Sequence, residues 1–246
     1  MRLYIYYMVY LAVIYNTGCQ NKTSTGNSNN TADIKQLDAV SNNFFKNSED
    51  ITDHDGNIYH TIIIGKQVWM AENLKVTHYN NGCEIPQIKE DKAWRELNIG
   101  AYCNYNNKKT NSAIYGNLYN WYAVNDDRKL APKGWHVPTQ EEWNILIDYL
   151  GGNTTAGSKV KATGTKYWEV PNTTSTNQSG FNAIPGGNRN NNGMFENLGF
   201  SASFWSSTTE PKVDFAKNYS LISGITAIKA DVDDRKCGLN VRCLKD

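Results

Sequence analysis

Any chemistry in this chain of 246 residues would have to come from five cysteines, four histidines and a few neighbouring carboxylates. A thiolate can serve as nucleophile, metal ligand or half of a disulfide, so the cysteines come first. Cys19 stands alone near the N-terminus, and Cys83, Cys103, Cys237 and Cys243 form neither a Cys-x-x-Cys pair nor a Cys/His grid at zinc spacing. Proximity favours pairing Cys83 with Cys103 and Cys237 with Cys243, with free buried thiols as the alternative. His54 and His60 can fall on one side of a first hairpin, but two imidazoles without a third ligand point to surface or pairing roles rather than to a metal. His136, between Trp135 and Val137, reads as a hydrogen-bonded structural histidine. Asp53 and Asp55 ahead of Gly56 and Asn57 resemble the start of a calcium loop, yet no glutamate follows at the EF-hand distance, so a turn is expected. Glu141 and Glu142 are adjacent, which on a helix points them about a hundred degrees apart, so a glycosidase dyad is not indicated. Gly-x-Ser-x-Gly, P-loop and Gly-x-Gly-x-x-Gly motifs are absent. No catalytic residue, metal or cofactor is therefore expected. What remains is a polar, aromatic set for ligand binding: Trp168, Asn188, Arg189, Asn190 and Trp205 offer flat faces, amides and a guanidinium suited to a sugar ring or a peptide. Trp205, inside Phe204-Trp205-Ser206, also reads as core.

Composition narrows the partners. The formal net charge is +1, and no basic stripe with interleaved aromatics is present, which argues against nucleic acid. Abundant asparagine with 12% aromatic residues suits an extracytoplasmic protein that meets polar ligands.

The elements that must position such a surface begin after a leader. Arg2 precedes an apolar stretch from Leu3 to Tyr15, too short to span a bilayer, and Thr17 and Gly18 then precede Cys19. This resembles a bacterial lipoprotein signal cleaved between Gly18 and Cys19, with the thiol lipidated; Asn16 stands where that pattern has Leu. The expected organisation is a signal peptide over 1–18, a polar tether over 19–32, a short helical preface over 33–50 carrying Ile34, Leu37, Val40 and Phe44, and one domain over 51–246. In the domain, a turn at 53–57 and a run from Ile58 to Ile64, with Gly65-Lys66 and Gln67 to Met70, predict a hairpin. A helix is expected from near Tyr115 with Leu118, Trp121, Tyr122 and Asn125 on one face. The sharpest signal follows: Thr139 as N-cap, Glu142 closing a capping box, an apolar stripe of Trp143, Leu146, Ile147 and Leu150, and a stop at Gly151-Gly152. The stretches 172–179 and 185–193 read as surface loops, and strands are expected at 204–207, 216–222, 225–230 and 239–244. The fold class is α+β.

Several phrases carry a family likeness. They are Gly-Lys-Gln-Val-Trp-Met-Ala-Glu-Asn-Leu at 65–74, Tyr-Gly-Asn-Leu-Tyr-Asn-Trp-Tyr-Ala-Val at 115–124, Gly-Trp-His-Val-Pro-Thr at 134–139, Ser-Gly-Phe-Asn-Ala-Ile-Pro-Gly-Gly at 179–187, Phe-Trp-Ser-Ser-Thr at 204–208 and Val-Arg-Cys-Leu at 241–244. Together they resemble the Fibrobacter succinogenes major paralogous domain of exported bacterial proteins. Ala131 departs from it, since relatives often carry a cysteine there, and a disulfide from that position to Cys243 is unavailable. More distantly, Val-Pro-Thr-Gln-Glu-Glu-Trp at 137–143 and the terminal Val-Arg-Cys are similar to landmarks of formylglycine-generating enzymes, whose scaffold is related to C-type lectins. That resemblance implies a mixed sheet whose first and last strands pair, two main helices and long loops. It does not extend to the enzyme's copper-binding cysteines, because no cysteine lies between Cys103 and Cys237, nor to a lectin calcium set around Glu169-Val170-Pro171-Asn172. The expected function is an exported, lipid-anchored, non-catalytic binding or display module of the cell envelope, its partners the membrane through Cys19 and a glycan or protein ligand. An enzyme with an unrecognised site, or a structural envelope subunit, is the alternative.

Overall fold

The computed structural model describes residues 49–210 and 214–246. All lie within one compact unit, Phe45–Asp246. The leader, Cys19, the tether and the preface up to residue 48 fall outside the described residues.

The domain opens with β1 (Ile51–Thr52) and β2 (Ile58–Tyr59), joined by the anticipated turn. Asp53 holds it: its carboxylate accepts from the backbone N–H groups of Asp55 and Asn57 at 2.9 Å and from the Tyr59 hydroxyl at 2.6 Å. Such an Asx arrangement replaces backbone pairing inside the turn. β3 (Thr61–Ile64) and β4 (Gln67–Met70) form the expected hairpin through Gly65, where φ is +64° and an added Cβ would meet the Tyr149 ring at 3.0 Å.

The middle is built from short pieces: α1 (Asp91–Arg95), β5 (Tyr102–Cys103), a 3-10 turn at Tyr105–Asn107, α2 (Lys109–Tyr115), β6 (Leu118–Tyr119), α3 (Trp121–Val124) and β7 (Trp135–His136). The single helix expected from Tyr115 onward is thus replaced by the end of α2, a two-residue strand and the four-residue α3. Gly116, at φ +77°, ends α2, and Asn120 starts α3 by accepting from Ala123 N–H at 3.1 Å. Those stop and start signals override the aromatic spacing between them.

α4 (Gln140–Tyr149) forms as its sequence predicts. Thr139 Oγ1 accepts from Glu142 N–H at 3.3 Å and Glu142 Oε2 accepts from Thr139 N–H at 2.8 Å. Trp143, Leu146 and Ile147 face the core. After Gly151 and Gly152, α5 (Asn153–Val160) adds a helix that the Thr- and Gly-containing sequence did not announce. The second half is mostly strand: β8 (Gly186–Arg189), β9 (Phe195–Leu198), β10 (Ser201–Thr209), β11 (Phe215–Ile222), β12 (Lys229–Asp234) and β13 (Leu244–Lys245).

Two of these strands correct the sequence reading. The stretch 185–193, expected as loop, contains β8. It is a strand of glycines because its neighbours press on it: a Cβ on Gly187 (φ +66°) would lie 2.5 Å from Glu196 O, so β-propensity could not reveal it. The strand expected at 225–230 lies at Lys229–Asp234 instead, and its charges fit its place at the edge of the sheet. Leu239 to Leu244 was expected to alternate, yet every residue from Leu239 to Leu244 is buried.

The strands form two main sheets. One runs β3-β4-β13-β7, so the last strand pairs with the first hairpin, Leu244 opposite Trp69 and also opposite His136. The other runs β12-β11-β10-β8-β9 and is mixed, with β8 parallel to β10. With five α-helices beside these sheets among the described residues, the fold class is α+β. The aromatic centre joins α4 to both sheets: Trp143 lies 5.0 Å from Trp69 and stacks on Tyr219 at 4.9 Å. Among the described residues, no helix is long and apolar enough to cross a membrane.

Thr139→Ala removes one half of the capping box and is expected to cost about 1 kcal/mol, whereas Trp143→Ala should cost about 3–5 kcal/mol by opening a cavity under α4. Chemical denaturation of the two variants checks that order; equal losses would contradict it.

Candidate functional site

The residues singled out as a ligand surface do not form one. Trp168 is 1% exposed, its Nε1–H donates to Ala183 O at 3.0 Å, and Lys161 Nζ sits 5.1 Å from its ring centroid. Trp205 is core, as its strand context implied, with Nε1–H donating to Tyr119 O at 2.7 Å. Arg189 is 0% exposed and clamps the α1 region, donating to Ile88 O, Lys89 O, Gly193 O and Asp91 Oδ1 while lying against the Trp94 and Phe195 rings. Asn188 and Asn190 are half-buried and bond each other at 2.6 Å. Burial and satisfied donors make Trp168, Arg189 and Trp205 scaffold, while Asn188 and Asn190 stay half-buried at the surface.

The histidines follow the roles expected of them. His60 Nδ1 lies 2.7 Å from Glu72 Oε1, and that hydrogen bond raises its pKa. The His54 ring packs 5.5 Å from His78, which is itself hydrogen-bonded to Asp55. Both nitrogens of His136 are engaged, Nε2 with Glu142 at 2.9 Å and Nδ1 with Asp246 at 2.7 Å. Among the described residues, no three His, Cys, Asp or Glu side chains gather as a metal would require.

The four described cysteines are free, so neither expected disulfide is formed. Cys83 is exposed on a turn while Cys103 is buried beside Trp94 and Leu118. Between Cys237 and Cys243 the chain bridges first Arg189, then Tyr119, then Phe204, and Leu244 pairs with Trp69. Burial pushes the Cys103 and Cys237 thiols up to about 12 and raises Cys243 as well.

A cleft of about 290 Å³ opens where β5, the 3-10 turn and α2 meet. Its floor is a closed amide network. Asn117 donates to Lys75 O at 2.9 Å and Val76 O at 3.2 Å, and its Oδ1 accepts from Asn104 at 2.8 Å and from the Ser112 hydroxyl at 2.5 Å. Asn104 Oδ1 in turn accepts from Gln87 at 3.0 Å. The wall differs from the floor. Asn107, held at φ +57°, donates to Lys89 O at 3.1 Å, but its Oδ1 is buried with no donor in reach among the described residues. Lys89 and Lys109 line the same cleft, as does Tyr102, whose hydroxyl burial holds above the usual tyrosine range. The arrangement offers an unpaired acceptor, two ammonium groups and an aromatic hydroxyl around a rigid base, which suits a ligand rich in hydroxyls.

Sequence reasoning missed this cleft because its residues are spread from Thr77 to Asn117 through short elements, without a motif. The one signal was the asparagine-dense stretch Asn104-Tyr105-Asn106-Asn107, whose last two residues take left-handed backbone.

Residues 62–245 match the family model of the Fibrobacter succinogenes major domain. The chain belongs to this family. The match covers both main sheets and the whole of the cleft, so the amide floor and the Asn107 wall are part of this chain's Fibrobacter succinogenes major domain and not of an added segment. No curated protein and no solved structure matches the chain.

In native protein a thiol reagent should label Cys83 at least a hundredfold faster than Cys103, Cys237 and Cys243, which become reactive only on unfolding, since the thiolate is the reactive form and burial suppresses it. Mass spectrometry of the labelled, unreduced protein checks this. Loss of two mass units for a disulfide would contradict it.

Proposed function

We propose that this Fibrobacter succinogenes major domain is an exported, lipid-anchored, non-catalytic binding module of the cell envelope whose cleft beside α2 holds a hydroxyl-rich ligand, a glycan. The observation that carries the reading is Asn107 Oδ1, a buried acceptor without a donor in the cleft wall. Leaving such an atom unpaired costs about 1–3 kcal/mol, and a ligand hydroxyl would recover it. Lys89 and Lys109 add donors for ring and hydroxyl oxygens, and the pre-bonded floor keeps the cleft from rearranging when it is filled. The scaffold is read as C-type lectin-like; pairing of the last strand with the first hairpin supports that reading. Export and anchoring rest on the leader ending at Cys19.

A glycan array probed with the full chain tests the ligand. Asn107→Gly keeps left-handed backbone open to the residue and removes the acceptor, so binding should fall at least tenfold while the melting temperature stays within about 2 °C. An array without hits, or a hit that Asn107→Gly leaves intact, would overturn the reading. Metabolic labelling with an alkyne-tagged fatty acid tests the anchor: the chain should take up label, and Cys19→Ala should abolish it.

A further inference from the structure

Next along α2 lies a second pocket, of about 180 Å³, built differently from the cleft. Arg242 lines it at 1% exposure. A buried guanidinium ordinarily meets a carboxylate, because removing its charge from water is costly. Here no carboxylate lies within ion-pair distance among the described residues. Its donors go to neutral oxygens instead: Nε–H and Nη2–H to Asn73 Oδ1 at 3.0 and 2.5 Å, and Nη1–H to Phe181 O and to Met70 O at 3.4 Å. One Nη2 hydrogen is left without an acceptor among the described residues. Burial without a counter-ion lowers the Arg242 pKa to about 9.

The rest of the wall states what would fit. Lys75 adds a second cation; its ammonium sits 5.2 Å from the Tyr59 ring and in no ion pair among the described residues. Glu72 also lines the pocket, but its two oxygens are occupied by the His60 ring and backbone N–H at 2.7 and 2.9 Å. The one carboxylate is already engaged by His60, so Arg242 and Lys75 leave the pocket a net positive character that favours an anion. Tyr167 and the exposed Asn182 supply a flat ring and an amide beside that charge, and the volume holds about one sugar residue.

We propose that this pocket binds the carboxylate of an acidic sugar, a uronate, with Arg242 and Lys75 holding the carboxylate and Tyr167 and Asn182 holding the ring. The pocket goes beyond the cleft reading, since it shares no lining residue with the cleft and stands if the cleft proves empty.

Titration calorimetry or NMR of the full chain with glucuronate, glucose, acetate and inorganic phosphate tests it. Glucuronate is expected to bind at least tenfold more tightly than each of the other three, with resonance shifts at Tyr167 and Asn182. Arg242→Gln disturbs a buried network and could unfold the domain, so the deciding variant is Lys75→Glu, on the rim. It should weaken glucuronate at least tenfold with an unchanged melting temperature, while Asn107→Gly should leave glucuronate binding as it was. Equal affinity for glucose and glucuronate, binding of phosphate or of acetate as tight as that of glucuronate, or an unaltered Lys75→Glu protein would each overturn the proposal.

Discussion

Everything in this domain is fastened to one buried run of backbone, from Gly238 to Leu244. Arg189 and Gly238 exchange both backbone hydrogen bonds at 2.9 and 2.7 Å, and Tyr119 and Leu239 do the same at 2.9 and 3.0 Å. Trp205 N–H then donates to Asn240 O, Leu74 N–H to Val241 O at 2.8 Å and Met70 N–H to Cys243 O at 3.0 Å. The chain's last residues thus pass between both main sheets and the short central elements. A backbone group stripped of its partner inside such a core costs about 1–3 kcal/mol, so these bonds must form together or not at all. Contacts between residues so distant in sequence also require long loops to close first.

A chain with so many short elements has a second constraint, which is what to do with carbonyls and amides that no long strand or helix satisfies. Asparagine answers it. Asn120 Oδ1 accepts from Ala101 and Ala123 N–H while its amide donates to Ile99 O. Asn172 donates to Ala162 O and Gly164 O, and Asn240 to Tyr115 O and Asn117 O. With one donor end and one acceptor end, a buried carboxamide imitates a peptide group and closes the turns internally. Composition had linked asparagine abundance to a solvent-facing ligand surface; the buried asparagines are instead mortar between loops.

That substitution also explains what could be read from the sequence and what could not. The capping box at Thr139, the hairpin around Gly65 and the Asp53 turn were legible because each is decided within a few residues by local hydrogen bonding. β8, the split at Gly116 and the displaced β12 were not, because each is decided by a neighbour: Glu196 pressing on Gly187, Asn120 restarting the chain, an edge that tolerates Asp231 and Asp233. The same divide runs through the site. Arg189 and Trp168 carry side chains that suit ligands, but the identical chemistry suits a buried clamp when carbonyls surround it, and only the fold reveals that they do. Asn107 and Arg242 show the reverse case, ordinary residues in sequence that become conspicuous once the partners they lack are known.

The two pockets beside α2 therefore share a logic with the rest of the fold. α2 itself has no buried residue; it is held at its ends and from one side by polar bonds, Asn111 to Tyr105 O at 2.9 Å, Ser112 to Asn117, and Asn73 and Asn240 to Tyr115 O. A helix attached by directional bonds keeps its position without demanding that the neighbouring surface be apolar. Its flanks are left free to be polar, and there the amide network stops being complete: among the described residues one acceptor on Asn107 and one Nη2 hydrogen on Arg242 find no partner. Buried atoms without a partner occur elsewhere too, among them the Tyr79 hydroxyl, the Trp94 and Trp143 Nε1 and Asn240 Oδ1, so an orphan atom does not mark a site by itself; Asn107 and Arg242 differ in that each lines a pocket that also holds a lysine, where a ligand rather than protein can reach it.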